Sequence, residues 1–334
     1  MPGGVQGLSR YAAKTSLSRT CAVSNLVSNR THGARDVICY VTAKGWITAM
    51  RGRIDEALQA SLADTENSVR PEGLRKAMAD AVFPGGGRLR PRLVLAVAES
   101  LGDPNPTLSL AGAVAVELIH CSSLAHDDLP CFDDAPLRRG VPSVHAKHGE
   151  AIAVLVGDGL IARAFEVIAV AGEDDPRAAL AISRELARAT GGFEGLVAGQ
   201  AWEFESNAVW SEYHDAKTGA LFAAAAAIGA LSAGGDPEAY RSLGGRIGGA
   251  YQLADDLADR FGRQEDLGKA VGLDDRKGVP SAPSALGVEG TLRRLHALKE
   301  ETTSWLQEMQ ANEQLQSLVV ETLERLLPTQ FRGR

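Results

Sequence analysis

The sequence predicts an all-α protein that folds as one large domain. Of its 334 residues 45% are hydrophobic, and alanine, leucine and valine dominate that share, whereas aromatic residues make up only 5%. Apolar residues recur at helical spacing in segment after segment, and no alternation long enough for a useful strand is present. The breaks are short and rich in glycine, proline and aspartate. These observations favour helices throughout.

The predicted helices follow one another from Met50 onward. They cover residues 50–64, 72–82, 91–101, 107–129, 149–171, 177–200, 215–233, 236–261, 289–310 and 312–327. The breaks carry the expected signals: PGGG at 84–87, GDPNP at 102–106, GEDDP at 172–176 and GGDP at 234–237. Two segments, 107–129 and 236–261, are long enough to run through the middle of a helical bundle. We therefore expect one domain over residues 50–334.

Residues 1–49 differ from the rest in composition. They are rich in serine, threonine, glycine and arginine, and they carry six basic side chains but one acidic one. A transit peptide has this composition. A disordered extension, or an upstream start with Met50 as the true beginning, is the preferred interpretation, because an amphipathic helix begins directly at Met50. We expect a cytoplasmic protein, with a plastid or another organelle as the alternative if the segment is a transit peptide.

The charge of the body restricts the class of partner. The net charge is −7 although the first 49 residues are basic, so the remainder is acidic. An acidic body argues against nucleic acid as a partner, and one that binds phosphates would recruit metal cations. No stretch approaches the ~20 uncharged apolar residues of a membrane span, residues 219–235 being the nearest. The four cysteines show no CxxC spacing, which favours reduced thiols.

An acidic cluster, HDDLPCFDD at 126–134, ends one of the long helices. Its four carboxylates raise one another's pKa unless cations lie among them. Pro130 lacks an N–H and disfavours helical backbone at the preceding residue. We therefore expect the helix to break, the LPCF segment to bulge outward, and Asp133 to return beside Asp127. A solvated acidic turn is the simpler alternative.

A second acidic cluster, QLADDLAD at 252–259, lies inside a predicted helix. Asp255 and Asp259 are spaced i, i+4 and Asp256 and Asp259 i, i+3, so the three carboxylates share a face with Gln252 one turn earlier. Its flanks are apolar, which is unlike a solvated face. A few hard oxygen ligands with room for water and phosphate suit Mg²⁺ better than a closed Ca²⁺ cage.

A glycine- and arginine-rich turn, GGGRLRP at 85–91, offers backbone N–H groups and guanidiniums near a helix start, which is anion-binding chemistry. Further candidate phosphate contacts are Lys217, Thr218, Lys269 and Lys277. Each of these is more often an ordinary surface residue when taken alone.

Together these motifs give a resemblance to the trans-prenyl diphosphate synthases over about residues 50–280. HDDLPCFDDAPLRRG resembles the family's first aspartate-rich motif in its DDxxxxD form, and YQLADDLAD resembles its DDxxD motif. GGGRLRP is similar to the family's GGKRLRP turn, ELIH at 117–120 to the segment before the first motif, and GLVAGQAWE at 195–203 to its GQ segment. The last fifty residues match weakly.

The resemblance implies about ten helices around a deep central cavity, the isoprenoid synthase fold, and a homodimer. It implies a prenyltransferase that condenses isopentenyl diphosphate with dimethylallyl, geranyl or farnesyl diphosphate. Three Mg²⁺, replaceable by Mn²⁺, would be held by Asp127, Asp128, Asp133, Asp255, Asp256 and Asp259. The allylic diphosphate would contact Arg138, Lys217, Thr218, Gln252 and Lys269. Isopentenyl diphosphate would contact Gly87, Arg88, Arg90, His120 and Arg139.

The chain departs from the family pattern in three places. Gly87 stands where the family has a lysine that contacts isopentenyl diphosphate, so that contact is lost or Arg88 supplies it. Residues 268–280 are shorter than the family's stretch, and Gly278-Val279-Pro280 replaces its Thr-Tyr-Pro.

Product length is predicted from two serines, Ser122 and Ser123. By resemblance they form the pocket floor before the first motif, where a bulky aromatic residue stops elongation at C15. Serine at both positions predicts a C20 product, geranylgeranyl diphosphate, with farnesyl diphosphate as the alternative. Hydrogen bonds from these serines to helix carbonyls are the simpler interpretation.

Two other classes of protein stay open: a non-catalytic subunit of a heteromeric synthase, and a terpene cyclase, which needs no isopentenyl site.

Overall fold

The computed structural model describes residues 43–63, 71–206, 209–261 and 281–326. These residues form helices α1 Ala43–Leu62, α2 Glu72–Val82, α3 Leu89–Ser100, α4 Pro106–Asp127, α5 Val144–His148, α6 Glu150–Ala171, α7 Pro176–Thr190, α8 Leu196–Ala201, α9 Trp210–His214, α10 Ala220–Ser232, α11 Pro237–Phe261, α12 Ala282–Glu308 and α13 Glu313–Leu326. A 3-10 turn, Trp202–Phe204, follows α8, and a π-helical turn, Asp215–Gly219, joins α9 to α10. Strands β1 Leu137–Arg138 and β2 Val141–Pro142 pair antiparallel. The all-α prediction is confirmed.

Helix α1 begins before the expected position. It starts at Ala43, so seven residues assigned to the N-terminal extension belong to the domain. Trp46 packs against the core, and its indole Nε1 donates to Glu99 Oε2 at 2.9 Å. The prediction failed here because the segment takes its contacts from α3, which is distant in sequence.

Two other boundaries also differ from the prediction. The segment 177–200 is two helices, because α7 ends at Thr190 and Gly191 adopts an extended backbone (φ −70°, ψ 176°). Helix α12 has an additional segment from Ala282 that ends in a kink at Gly287, whose φ of 71° is a non-helical conformation that glycine adopts readily. The part of α12 after this kink agrees with the predicted helix from residue 289.

The core is built around α4, which packs chiefly against α6 and α3, while α10 packs against α11, α3 and α7. Small residues allow these helices to approach closely. A Cβ on Gly229 of α10 would lie 2.4 Å from the Val94 carbonyl oxygen, and one on Gly244 of α11 would lie 2.2 Å from that of Phe222. The alanine-rich α10 is therefore an interior helix, as its composition predicts.

One helix in the described part of the chain has the length and apolar composition of a membrane span. It is α4, not the segment 219–235 named from the sequence, and 83% of its most apolar window is buried within the structure. This burial identifies α4 as a core helix of the bundle.

Candidate active site

The first acidic cluster forms the predicted bulge. Helix α4 ends at Asp127, and the chain then turns back on itself. The Asp133 amide donates to the Asp127 carbonyl oxygen at 2.9 Å, and the Ala135 amide donates to that of Asp128 at 3.1 Å. The expected return of Asp133 to Asp127 is therefore confirmed, and Pro130 lies at the exposed tip.

Burial and neighbouring negative charges make it unfavourable for the carboxylates of this cluster to be ionised. Burial, above all, raises the pKa of Asp127 to about 6; Lys217 opposes this rise, and Asp133 and Glu203 add to it. Burial also raises the pKa of Asp128, although the Arg138 guanidinium counteracts it. Asp128 accepts a hydrogen bond from Arg138 Nε at 2.9 Å and a second from its Nη2. A bound cation would relieve this unfavourable accumulation of negative charge.

The second acidic cluster lies on α11, where its carboxylates differ in surroundings. Asp256 and Asp259 are buried, and Asp255 is half-buried. Asp256 accepts from Gln252 Nε2 at 2.9 Å and from the Ala282 backbone N–H at 2.7 Å, at the start of α12. Thr218 Oγ1 in turn donates to Gln252 Oε1 at 2.5 Å. Thr218, Gln252 and Asp256 therefore form one hydrogen-bonded chain, which holds the cluster in place.

Lys217 lies on the π-helical turn before α10, close to Asp127 of the first acidic cluster. Such turns are frequent at functional sites because they change the direction of side chains. Its Nζ binds Glu203 Oε1, which also accepts from the Tyr213 hydroxyl at 2.9 Å. Burial opposes the charged form, but Tyr213, Asp127 and Glu203 raise the pKa of Lys217 above its ordinary value. Lys217 is thus held as a cation close to Asp127.

Glu203 and His214 were not singled out from the sequence. Glu203 ends the GLVAGQAWE segment and partners Lys217, and His214 Nε2 lies 3.4 Å from Asp256 Oδ2. Burial lowers the pKa of His214 to about 4, so this side chain is neutral at pH 7. Spacing alone gave no signal for either residue, because Glu203 meets Lys217 and His214 meets Asp256 only in the folded chain.

A cluster of cations lies beside the first acidic cluster. Arg139 Nη1 binds the Gly85 carbonyl oxygen, and its guanidinium covers Gly86, where a Cβ would lie 2.6 Å from Nη1. Arg90 stacks over the Phe222 ring at 4.2 Å, and its buried Nε has no hydrogen-bond partner within the described ranges. Burial and then the charges of Arg90, Arg139, Arg138 and Arg88 lower the pKa of His120 well below its usual value. The glycine turn, Arg90, His120 and Arg139 are thus brought together, which suits an anion.

Arg88 is not placed as predicted. Its side chain is buried and binds three protein groups, Asp55, Glu117 and the Val82 carbonyl oxygen, so it cannot take over the contact of the missing lysine. Gly87 is exposed, and the space around its Cβ position is open to 4 Å. Arg88 therefore does not replace the family lysine, and the guanidinium beside Gly87 is that of Arg92, whose Nη1 donates to the Gly87 carbonyl oxygen at 3.3 Å.

Lys269 and Lys277 lie outside the described residues. Among those that are described, no three His, Cys, Asp or Glu side chains converge on a point that could hold a metal ion. The carboxylates instead lie in two groups on α11 and at the end of α4. Substrate oxygens or water would therefore have to complete the coordination of any metal.

Comparison with known proteins decides the family. The family model described as polyprenyl synthetase matches residues 71–321. The chain belongs to the polyprenyl synthetase family. A geranylgeranyl diphosphate synthase from Cereibacter sphaeroides is 46% identical over 286 residues, which cover 86% of this chain and 99% of that one. A farnesyl diphosphate synthase from Geobacillus stearothermophilus is 39% identical over 67% of this chain and 79% of its own length. The chain is a prenyltransferase.

Solved structures agree with this family. The apo structure of an FPP/GFPP synthase from Zymomonas mobilis has a TM-score of 0.72 and 30% identity, covering 86% of this chain and 99% of that one. A Helicobacter pylori geranyltransferase, complexed with magnesium and isoprenyl diphosphate, has a TM-score of 0.71 and 27% identity, covering 91% of this chain and all of that one. The isoprenoid synthase fold expected for this polyprenyl synthetase is thereby confirmed.

The two serines of this polyprenyl synthetase have different surroundings. Ser122 is 2% exposed and donates to the Gly157 carbonyl oxygen of α6 at 3.0 Å. Ser122 therefore lies in the α4–α6 contact, and the prediction that it forms an open pocket floor does not hold. Ser123 is half-buried and donates to the His120 carbonyl oxygen at 2.9 Å. His126 Nε2 lies within hydrogen-bond distance of the Val154 carbonyl oxygen, at 3.2 Å.

Proposed function

We propose that this prenyltransferase condenses isopentenyl diphosphate with allylic diphosphates and releases mainly geranylgeranyl diphosphate. The observation that carries the proposal is a pair of neighbouring candidate diphosphate sites, one lined by carboxylates and the other by cationic side chains. One consists of carboxylates around Lys217, and the other of Arg90, His120 and Arg139 behind the glycine turn. The first suits a diphosphate that arrives with metal ions, and the second suits one that is bound directly.

The six aspartates would hold Mg²⁺ at the first of these sites. The donor set fits: hard carboxylate oxygens in two groups, one of them with its pKa raised by burial and neighbouring anions. We propose three ions, with Mn²⁺ as a substitute. Bound there, the metal would act as a Lewis acid and neutralise the charge of the leaving diphosphate.

The protein's own side chains would bind the diphosphate, hold the carboxylates in place and exclude water. Lys217 and Arg138 bind the departing diphosphate, and Thr218 and Gln252 hold the α11 cluster in place. Cleavage of the C–O bond leaves an allylic cation, which apolar surroundings protect from water. The double bond of isopentenyl diphosphate attacks this cation, and the adduct loses a proton to the released diphosphate. No side-chain nucleophile is needed.

Product analysis tests the proposal. The purified chain is incubated with Mg²⁺, isopentenyl diphosphate and each allylic primer in turn, and the products are separated by chain length. We expect C20 product from dimethylallyl, geranyl and farnesyl diphosphate. A C15 end point would favour farnesyl diphosphate synthesis, and absence of turnover would favour a non-catalytic subunit. A hydrocarbon made without isopentenyl diphosphate would indicate a cyclase.

Ser123→Tyr should shift the product toward C15. Ser123 lies one turn before Asp127 on the same face of α4, about 6 Å deeper at 1.5 Å per residue, and an aromatic ring there would shorten the pocket. The first condensation should remain fast, so the change is measured as the ratio of C15 to C20. Ser122→Ala is the matched control, because Ser122 lies against α6. Unchanged C20 output from Ser123→Tyr would show that another group closes the pocket.

Gly87→Lys should lower the KM for isopentenyl diphosphate. A Cβ at Gly87 meets nothing within 4 Å and the backbone there is not left-handed, so the side chain fits without strain. A cation next to a diphosphate adds a charge-assisted contact. The control is Gly73→Lys, which adds the same charge on α2, also in open space. An equal KM in wild type and Gly87→Lys would mean that another group already fills this place.

Two further assignments made from the sequence also stay predictions. The first is a homodimer, and exposed apolar side chains on α6 and α7, Val154, Leu155 and Leu180, are consistent with a partner surface. Sedimentation equilibrium would measure the mass directly. The second is a cytoplasmic location.

A further inference from the structure

Arg88 joins three helices at the start of α3. Its Nε donates to Asp55 Oδ1 of α1 at 3.0 Å, its Nη1 to Glu117 Oε1 of α4 at 2.6 Å, and its Nη2 to the Val82 carbonyl oxygen at the end of α2 at 2.7 Å. The Arg88 side chain is 2% exposed, and that of Glu117 is 3% exposed.

The backbone of Arg88 is held in a rare conformation. It precedes the first residue of α3 with φ 47° and ψ 37°, the left-handed region. A non-glycine residue persists there only when its surroundings determine it. The buried ion pair with Glu117 and the bond to Val82 supply that determination. Because the glycine turn comes directly before Arg88 and Arg90 two residues after it, the same bonds fix both relative to α4.

Glu117 connects this arrangement to the anion site. It lies three residues before His120 on α4, so the two side chains project from the same region of the helix. Arg88 therefore sets the distance between Arg90 on α3 and His120 on α4 without reaching the anion itself.

We propose that Arg88 is a positioning residue for isopentenyl diphosphate, acting through Glu117 and Asp55 to align Arg90 and the glycine turn with His120. This inference rests on the proposed function. The allylic site takes Asp127 from the C-terminal end of α4 and its other groups from α11 and the π-helical turn. Arg88 bonds to none of these groups, so we expect its replacement to affect mainly the isopentenyl diphosphate site.

A purely electrostatic role and a positioning role of Glu117 predict opposite changes in the KM for isopentenyl diphosphate when Glu117 is replaced. Its negative charge lies near the cationic cluster, so by Coulomb's law alone its removal should favour a bound diphosphate. If Arg88 positions the site through Glu117, removal leaves the guanidinium without its main buried partner and the turn shifts. Glu117→Met should then raise the KM for isopentenyl diphosphate.

The experiment measures both KM values, kcat and Tm for Arg88→Lys, Glu117→Met and the double variant Arg88→Met/Glu117→Met. Arg241→Lys is the matched control, because Arg241 also makes several carboxylate contacts, to Glu185 and Glu238, but joins α7 to α11. Wild-type turnover that requires isopentenyl diphosphate is established first, and its failure would reject the proposed function and not the role of Arg88.

We expect Arg88→Lys and Glu117→Met to raise the KM for isopentenyl diphosphate about tenfold with the allylic KM changed less than about twofold. Replacing both members of a buried ion pair by apolar residues often restores stability, so the double variant should regain Tm relative to Glu117→Met and keep the high KM. A KM that recovers together with Tm would overturn the proposal, since the role would then be stability alone. So would a lowered KM in Glu117→Met, or the same KM change in Arg241→Lys.

Discussion

Replacing Asp127 by alanine should lower kcat by about 10³-fold or more, the scale on which loss of an electrostatic catalytic group acts. Asp127 ends α4 beside Asp133 and close to Lys217, where it would face the leaving diphosphate. Asp255→Ala on α11 should have an effect of similar size, because the proposed metal ions need both groups of carboxylates.

Unlike kcat, the stability of the metal-free protein should not fall in Asp127→Ala. Burial raises the pKa of Asp127 to about 6, above its value in the unfolded chain. Between these two pKa values the folded state binds more protons, so stability falls as pH rises, and at pH 7 the ionised side chain destabilises the fold. Asp127→Ala should therefore keep or raise the Tm of the metal-free protein at pH 7, which separates loss of activity from loss of structure.

Asp134→Asn is the matched control for this pair of measurements. Asp134 is exposed in the same bulge, and its φ of 48° is one that asparagine tolerates. Near-normal turnover in Asp127→Ala, or an equal loss in Asp134→Asn, would show that the carboxylate assignment is wrong.

Replacing Arg90 by alanine should raise the KM for isopentenyl diphosphate about 100-fold, in the range for removing one partner of a buried charged contact. The guanidinium is stacked on Phe222, and its buried Nε has no partner in the part of the chain that the structure describes. A donor held in this way is ready for an anion. The KM for the allylic primer should change little.

The control for Arg90 is Arg53→Ala. Arg53 is half-buried on α1, and its Nη1 donates to Glu99 Oε1 at 3.2 Å. If Arg90→Ala weakened both substrates equally, the two anion sites would not be separate, and the division of the site into a metal-dependent and a direct part would fail.

The sequence predicted those parts of the site that local chemistry determines. Pro130 disfavours continuation of α4, and in the turn that follows the Asp133 amide returns to the Asp127 carbonyl oxygen. Helical spacing likewise put the α11 carboxylates on one face. The glycine turn predicted an anion site, and the structure brings Arg90, His120 and Arg139 to it.

The rest depends on contacts between distant segments, which spacing does not reveal. Whether Ser122 faces a pocket or α6 depends on the rotation of α4 against its neighbour, and Gly157 of α6 takes that face. Arg88 was expected at isopentenyl diphosphate as a replacement for the lysine that the family has at Gly87, yet it forms buried ion pairs with Asp55 and Glu117. Likewise, α1 continues to Ala43 because Trp46 finds its partner on α3.

The central claim is that two groups of carboxylates bind an allylic diphosphate only through metal ions. Calorimetric titration of the full chain with geranyl thiodiphosphate, a poorly ionising analogue, tests it without turnover. We expect tight binding with Mg²⁺, and binding at least about 100-fold weaker in EDTA, because carboxylates and diphosphate repel each other without a cation. Equal affinity with and without Mg²⁺ would contradict this account.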